Sequence, residues 1–303
     1  MTTFGYSLEA PTPWGDLLSL ARELDQESNF DSFWIADSLV ANGPPDDPKL
    51  EAWTALAAIA QATTRLRLGL LVAGNVYRHP ALTAKIVTTL DHISNGRIEL
   101  GIGAGWPDPK RSYGIDFGTR VERLERFAEA LEVIKQLWTV PKPTLEGTYY
   151  QLNQPPFSPS NVQRPHPSIV VGAGSDRVLR IAARYANKIH SMVNVERARK
   201  KVEEYCGEIG RQPDDIGWVG GGWLFLNDDP DVQRRALDAA MQQFGESEET
   251  IRSAGLFGSL QEVRAGVRRQ IDQGVDEVIV FQLPRVHRTS LLRFSEEVIP
   301  GFQ

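Results

Sequence analysis

One cysteine, Cys206, stands in 303 residues, so no internal disulfide can form and the chain fits a reducing cytosol. Cys206 lies in a helical pattern and reads as an inert, packed thiol. No window of about 18 residues is continuously apolar, so no membrane-spanning helix is predicted. The opening residues, MTTFGYSLEAPTPWGD, lack a basic region followed by an apolar core, so no secretory signal is predicted and a cytoplasmic protein is expected. Positive charge is not in excess: 33 Lys and Arg face 39 Asp and Glu, a formal charge of -6. That balance argues against a sequence-independent nucleic-acid binder. It leaves small anionic ligands open, because they need only local donors. No His/Cys cluster has metal-ligand spacing, and the acidic pairs Asp46-Asp47 and Asp228-Asp229 sit beside prolines and read as turns. No repeat of solenoid length occurs. No G-x-G-x-x-G follows the first apolar run, where Ser7-Leu8-Glu9-Ala10-Pro11 makes a poor dinucleotide turn.

What is present is regular alternation. Short apolar runs cover Phe4–Leu8, Ser32–Ala36, Leu66–Ala73, Arg97–Gly103, Ser168–Val171, Asn187–Met192, Ile216–Leu226 and Glu277–Gln282. Amphipathic stretches separate them, as in Pro80–Ile93, where Ala81, Ala84, Lys85, Thr88 and Ile93 recur at helical spacing. Apolar strands alternating with helices predict a parallel sheet covered by helices. Eight such units fit a (β/α)8 TIM barrel in a single domain, with a doubly wound open sheet as the rival. Two insertions break the alternation. Val140–Pro167 is proline-rich and predicts a small hairpin or a lid, and Gly245–Gly258 predicts an extra short helix from Glu246 onward.

In such folds the chemistry lies at the carboxyl ends of the strands. Val171-Gly172-Ala173-Gly174-Ser175-Asp176-Arg177 runs from a strand through a glycine turn into a helix. Free amides at a helix start, a hydroxyl and an arginine suit a phosphate. The plain alternative is a tight turn with Ser175 or Asp176 as the helix cap. Leu71-Val72-Ala73-Gly74-Asn75 ends the third run and offers a small turn against which a flat ring could lie. Ala36-Asp37-Ser38 ends the second run with a carboxylate and a hydroxyl. Gly103-Ala104-Gly105-Trp106 ends the fourth with cleared space and an indole. Candidate acids and bases at this rim are His190, His79 and Glu9, with His79 equally placed to open a helix whose first residue is Pro80.

Taken together these segments resemble the bacterial luciferase-like superfamily of flavin- and deazaflavin-dependent oxidoreductases, and the likeness to the deazaflavin-dependent branch is stronger. It is carried by Asn75-Val76-Tyr77-Arg78-His79-Pro80, Leu90-Asp91-His92-Ile93-Ser94-Asn95-Gly96-Arg97 and Gly101-Ile102-Gly103-Ala104-Gly105-Trp106. Phe30-Asp31-Ser32-Phe33-Trp34-Ile35-Ala36-Asp37 and Gly172-Ala173-Gly174 add to it. The resemblance implies a barrel with a flavin-type cofactor across the strand ends. It also implies a bulge in the third strand near Leu71-Val72, often with a non-prolyl cis peptide, that backs the ring. The phosphate would sit at Gly174-Ser175-Asp176-Arg177, with Asp37 and Asn75 near the ring or its ribityl chain.

Three activities follow as expectations. The first is hydride transfer between coenzyme F420 and a small organic substrate. The second is an FMN-dependent monooxygenase using reduced flavin and oxygen. The third is a flavin-binding protein without turnover. A homodimer is left open. The chain departs from the family pattern in three places. Ser38 stands where many deazaflavin dehydrogenases carry a histidine. Trp106 replaces a glutamate found in some sugar-phosphate members. Asn187-Lys188 replaces the usual Asp-Gly.

Overall fold

Eight short apolar runs, each followed by an amphipathic stretch, need neighbours on both edges and cover on one face. The computed structural model of the chain describes residues 1–40, 47–105, 113–191, 195–245, 247–253, 255–282 and 288–303. Its first half contains β1 (Thr3–Leu8), α1 (Trp14–Glu27), β2 (Ser32–Ile35), α2 (Ala52–Ala62), β3 (Arg67–Leu70), β4 (Ala73–Gly74), α3 (Pro80–Ile93), β5 (Ile98–Gly103) and α4 (Arg120–Thr139). A hairpin of β6 (Thr144–Glu146) and β7 (Gln151–Asn153) follows, then β8 (Ile169–Gly172), α5 (Asp176–Tyr185), β9 (Lys188–His190) and α6 (Val195–Ile209). The last part holds β10 (Gly217–Leu226), α7 (Pro230–Phe244), α8 (Glu248–Ser253), β11 (Gly255–Gly258), α9 (Leu260–Asp272), β12 (Glu277–Gln282) and α10 (Arg288–Arg293).

The main strands pair in parallel in the order β12-β1-β2-β3-β5-β8-β9-β10, and β10 pairs back with β12. That closes a (β/α)8 barrel, as the alternation predicts. Helix starts follow local chemistry. Thr119 with Glu122 and Ser259 with Glu262 form capping boxes on α4 and α9, and Pro80 and Pro230 begin α3 and α7. Among the described residues no helix is long and apolar enough to cross a membrane, and no group of His, Cys, Asp and Glu could hold a metal ion.

As the resemblance implies, the third run divides at Leu71–Val72, where the peptide bond is cis, and resumes as β4 beside β5. Two features differ from the sequence expectation. Gly255–Gly258, read as insertion, forms β11 along the outer half of β10. β10 itself is bent at Gly221 and Gly222, whose φ values of 123° and 151° only glycine adopts readily. Gln270 holds the bend by accepting from the Gly221 amide at 2.7 Å and donating to its carbonyl at 3.1 Å. The bend lets one strand pair with β9 at its start and β11 at its end. The Val140–Pro167 excursion does form a hairpin, and α8 is the short helix expected in the second insertion.

Inside the barrel, side chains stack in layers. Lowest are Ser32, Arg67, Glu99, Lys188 and Glu277. Lys188 Nζ donates to Glu99 at 3.0 Å and to Glu277 at 2.9 Å, Ser32 Oγ donates to Glu277 at 2.7 Å, and Arg67 pairs with Glu99. Above them the Trp34 indole fills the axis and donates to Ser32 Oγ at 2.8 Å. A Cβ at Gly69 would overlap that indole, and one at Gly5 would lie 3.2 Å from it, so glycines in flanking strands make room for one large ring. Trp34 packs with Leu71, Val170, Val219, Ile279 and Phe281 in a cluster distinct from the layer between sheet and helices.

Candidate active site

The rim above Trp34 is built from the carboxyl ends of these strands. β8 ends at Gly172, and the chain turns through Ala173-Gly174-Ser175 into α5. Ala173 N donates to the His190 carbonyl at 2.9 Å, which ties the turn to β9. Ser175 occupies the N-cap position but makes no side-chain cap bond, and Asp176 does not replace it. The first amides of α5 therefore keep their hydrogen-bonding capacity. A Cβ at Gly174 would meet nothing within 4 Å, so the backbone there is approachable. Arg177 is exposed and makes no ion pair among the described residues, whereas Asp176 faces Arg197 at 3.3 Å. Open amides, a free hydroxyl and a free guanidinium form a cradle suited to a phosphate ester. Ser175 thus takes the cap position that the sequence offers it but leaves its hydroxyl out of the cap.

Beside this turn, the Leu71–Val72 bulge lifts Val72 across the mouth. Its Cγ2 lies 3.0 Å from where a Cβ would stand on Gly103 and on Gly172. Those two glycines let one branched side chain lie over three strands. Leu71 N is held by the Ile35 carbonyl at 3.0 Å. Gly105, with φ 89°, turns the chain beside Val76, and a Cβ there would lie 2.8 Å from it. Ala104 packs against the outer core at this end. Trp106 lies outside the described residues.

Several expected groups are already engaged. Asp37 accepts from the Gly74 amide at 3.1 Å and from both ends of the Arg78 guanidinium at 2.8 and 3.1 Å, and Arg78 also pairs with Glu51. Asp37 thus braces β2 against β4 and is not a free base. Its neighbour Ser38 is half-buried. Asn75 is buried and hydrogen-bonded with the Tyr150 hydroxyl, which the β6–β7 hairpin brings to the rim. His79 Nδ1 accepts from the Ala81 amide at 3.2 Å and its ring meets Tyr150 edge-on at 5.2 Å. His79 thus caps α3 through Nδ1, the helix-opening role also read from the sequence.

Two titratable candidates remain at the mouth. Burial pushes the Glu9 carboxyl up, with the charge of Lys49 pulling the other way. Burial pushes the Lys49 ammonium down, and Glu9 and Asp37 oppose this. Lys49 also lines a small cleft with Leu8, Leu17, Ile35 and Ala52 between the barrel and the starts of α1 and α2. His190 points inward from β9, in register with Gly172 and Val219, and its ring lies 6.0 Å from that of Phe281. Burial pushes its pKa down to about 4, so the imidazole is neutral near pH 7. Sequence reasoning missed Ser7, Lys49 and Tyr150. Period-two alternation puts Ser7 on the same inward face as Gly5, which was a usable signal. Lys49 and Tyr150 come from connecting segments, where no periodicity points to them.

The matching family model, described as luciferase-like monooxygenase, covers residues 1–278. The chain belongs to this family. Its relatives include the phthiodiolone/phenolphthiodiolone dimycocerosates ketoreductases of Mycobacterium sp. (strain JLS) and Mycobacterium kansasii. Each is 29% identical, over 69% of this chain and 61% of the relative in the first case, and 82% and 75% in the second. The chain thus spans less than two thirds of the first of these relatives. Among solved structures, an F420-dependent secondary alcohol dehydrogenase in complex with an F420-acetone adduct superposes with a TM-score of 0.86 over 100% of this chain and 99% of its own, at 18% identity. At that identity the likeness shows the shared fold. These relatives are named as ketoreductases and the neighbour as a dehydrogenase.

Proposed function

We propose that the chain transfers a hydride between coenzyme F420 and a ketone or secondary alcohol. The carrying observation is the uncommitted start of α5, with Ser175 and Arg177 free and open space at Gly174 on the rim that Val72 crosses. A phosphate-bearing, flat-ringed cofactor fits that combination, and its ring would be backed at Leu71 and Val72. When bound, such a deazaflavin supplies the hydride chemistry. The protein holds the phosphate at Gly172, Ala173, Gly174, Ser175, Asp176 and Arg177. Asp37 and Asn75 fix the rim beside the ring through Arg78, Gly74 and Tyr150. Glu9, with its carboxyl pushed up and Lys49 next to it, is the group best placed to exchange a proton with a substrate oxygen.

The activity for which the mycobacterial relatives are named, ketone reduction, supports hydride transfer over oxygen insertion. The family description favours the second reading, an FMN-dependent monooxygenase. Fluorescence titration with oxidised F420 and with FMN separates the two cofactors. Anaerobic mixing with reduced F420 and simple ketones then tests the reaction. Oxidation of the cofactor without oxygen is expected. Tight FMN binding with oxygen uptake and no F420 affinity would replace the proposal with the second reading.

A further inference from the structure

Two polar atoms inside the barrel mouth have no hydrogen-bond partner among the described residues: Ser7 Oγ and His190 Nε2. Both atoms are shut off from solvent, and Ser7 as a whole has 0% exposure. Such orphans are rare in native interiors, and each costs about 1–3 kcal/mol unless something meets it. The two sit on either side of one ring. Ser7 is in register with Phe281, and the His190 ring lies 6.0 Å from Phe281. Both face inward, because Ser7 is also in register with Trp34, and His190 with Val219, all in the interior cluster.

The chemistry of this pair is specific. Ser7 can donate or accept, and a neutral imidazole nitrogen does either according to tautomer. Neither is charged, since burial keeps His190 neutral near pH 7. The interior charges lie one layer lower, where Lys188 is already paired with Glu99 and Glu277. An anion therefore has no counter-charge at this level. A neutral, flat group with donors and acceptors along one edge does match, with Phe281 as the apolar surface between.

Resting on the cofactor reading above, we propose that Ser7 and His190 read the pyrimidinedione edge of the ring, two carbonyls flanking an N–H. That edge is common to flavin and deazaflavin. The assignment gives His190 a hydrogen-bonding role in place of proton transfer, and it makes Ser7 a binding residue.

The test uses the full chain and tail-less probes, so that phosphate binding does not enter. Lumiflavin carries the edge, and 3-methyl-lumiflavin blocks its N–H. Equilibrium fluorescence titration of the wild type should show weaker binding of the methylated probe by about 2- to 10-fold, the range of one net hydrogen bond. In the Ser7→Ala, His190→Leu double variant that ratio should fall to about one. His190→Gln, which keeps a neutral donor and acceptor, should retain it. Ser7→Ala alone, a near-isosteric change, keeps the test available if the double variant does not fold. The 15N signals of the His190 ring should also shift when lumiflavin is added to the wild type. A wild-type ratio of one, or a ratio unchanged in the double variant, overturns the inference and leaves the cofactor proposal standing. Absence of binding by F420, FMN and lumiflavin alike overturns both.

Discussion

Replacing Lys188 by Met removes the cation that joins two buried carboxylates. Glu99 and Glu277 have side-chain exposures of 1% and 4%, and Lys188 Nζ lies 3.0 and 2.9 Å from them. Burial alone would raise the Glu99 carboxyl, but Lys188 and Arg67 together outweigh it and hold it below its ordinary range. Burial alone would lower the Lys188 ammonium, but Glu277 and Glu99 outweigh it and hold it above its ordinary range. The wild-type network therefore keeps its stability over a wide window. The Glu99 contribution is present above the ordinary carboxyl pKa and fades only as pH falls through the lowered one. The Lys188 contribution is present below the ordinary lysine pKa and fades only as pH rises through the raised one. In Lys188→Met, Arg67 alone opposes two buried negative charges. Breaking a buried pair from one side costs about 3–5 kcal/mol. Urea unfolding followed by intrinsic fluorescence should show a loss of that size at pH 7.5, shrinking toward pH 5 as a carboxylate takes up a proton. Lys188→Met combined with Glu277→Gln should recover part of it. A loss under about 1 kcal/mol that ignores pH, the size expected of an exposed ion pair, would refute the layer as a coupled charge network.

Gly174→Leu has space for its side chain and should leave the unfolding midpoint unchanged. Affinity for FMN or F420 should fall about tenfold or more while lumiflavin binding holds, as fluorescence titration would show. Arg177→Ala should weaken phosphate-bearing cofactors by about 1.5–3 kcal/mol, the range of a charge-assisted hydrogen bond, with the same control. Lys49→Met removes the charge that pulls the Glu9 carboxyl down, so 13C NMR of that carboxyl should show a pKa moved further up. Gly69→Ala places a methyl inside the Trp34 indole and should destabilise the barrel by about 1–3 kcal/mol in thermal or urea unfolding.

Strand and helix positions were legible because eight apolar runs and their amphipathic partners repeat one unit. The phosphate turn was legible too, since glycines, a hydroxyl and an arginine between a strand and a helix form a local pattern. The rest depends on pairs far apart in sequence. Nothing in the segment around Gly103 announces that it clears space for Val72, nor does Gly69 announce Trp34. Asp37 reads as a free rim carboxylate until Arg78, 41 positions later, is seen to take both oxygens. β11 was missed because Gly255-Leu256-Phe257-Gly258 is four residues between glycines, and only the bend at Gly221 exposes an edge of β10 for it.

The vertical order of the interior bears on why the mouth suits a neutral ring. Charges paired at the bottom satisfy one another through Lys188 and leave no unbalanced field to push on a ligand above. Trp34 then separates that layer from the mouth with apolar bulk. Beside and beyond it stand Val72, Phe281, Ser7 and His190, with no formal charge among them near neutral pH. The charged groups of the mouth, Glu9, Lys49 and the Asp37–Arg78 pair, lie at the ends of β1 and β2, while the phosphate cradle lies at the end of β8. A cofactor anchored at β8 would thus cross an uncharged floor and present its reactive face toward the titratable side. Proton exchange would be confined to the Glu9–Lys49 edge and the ring would be held by dipoles alone. The geometry requires the two functions to separate on mutation: Glu9→Gln should leave lumiflavin affinity unchanged in the same titration that Ser7→Ala weakens, and equal loss in both would show that floor and rim act as one site.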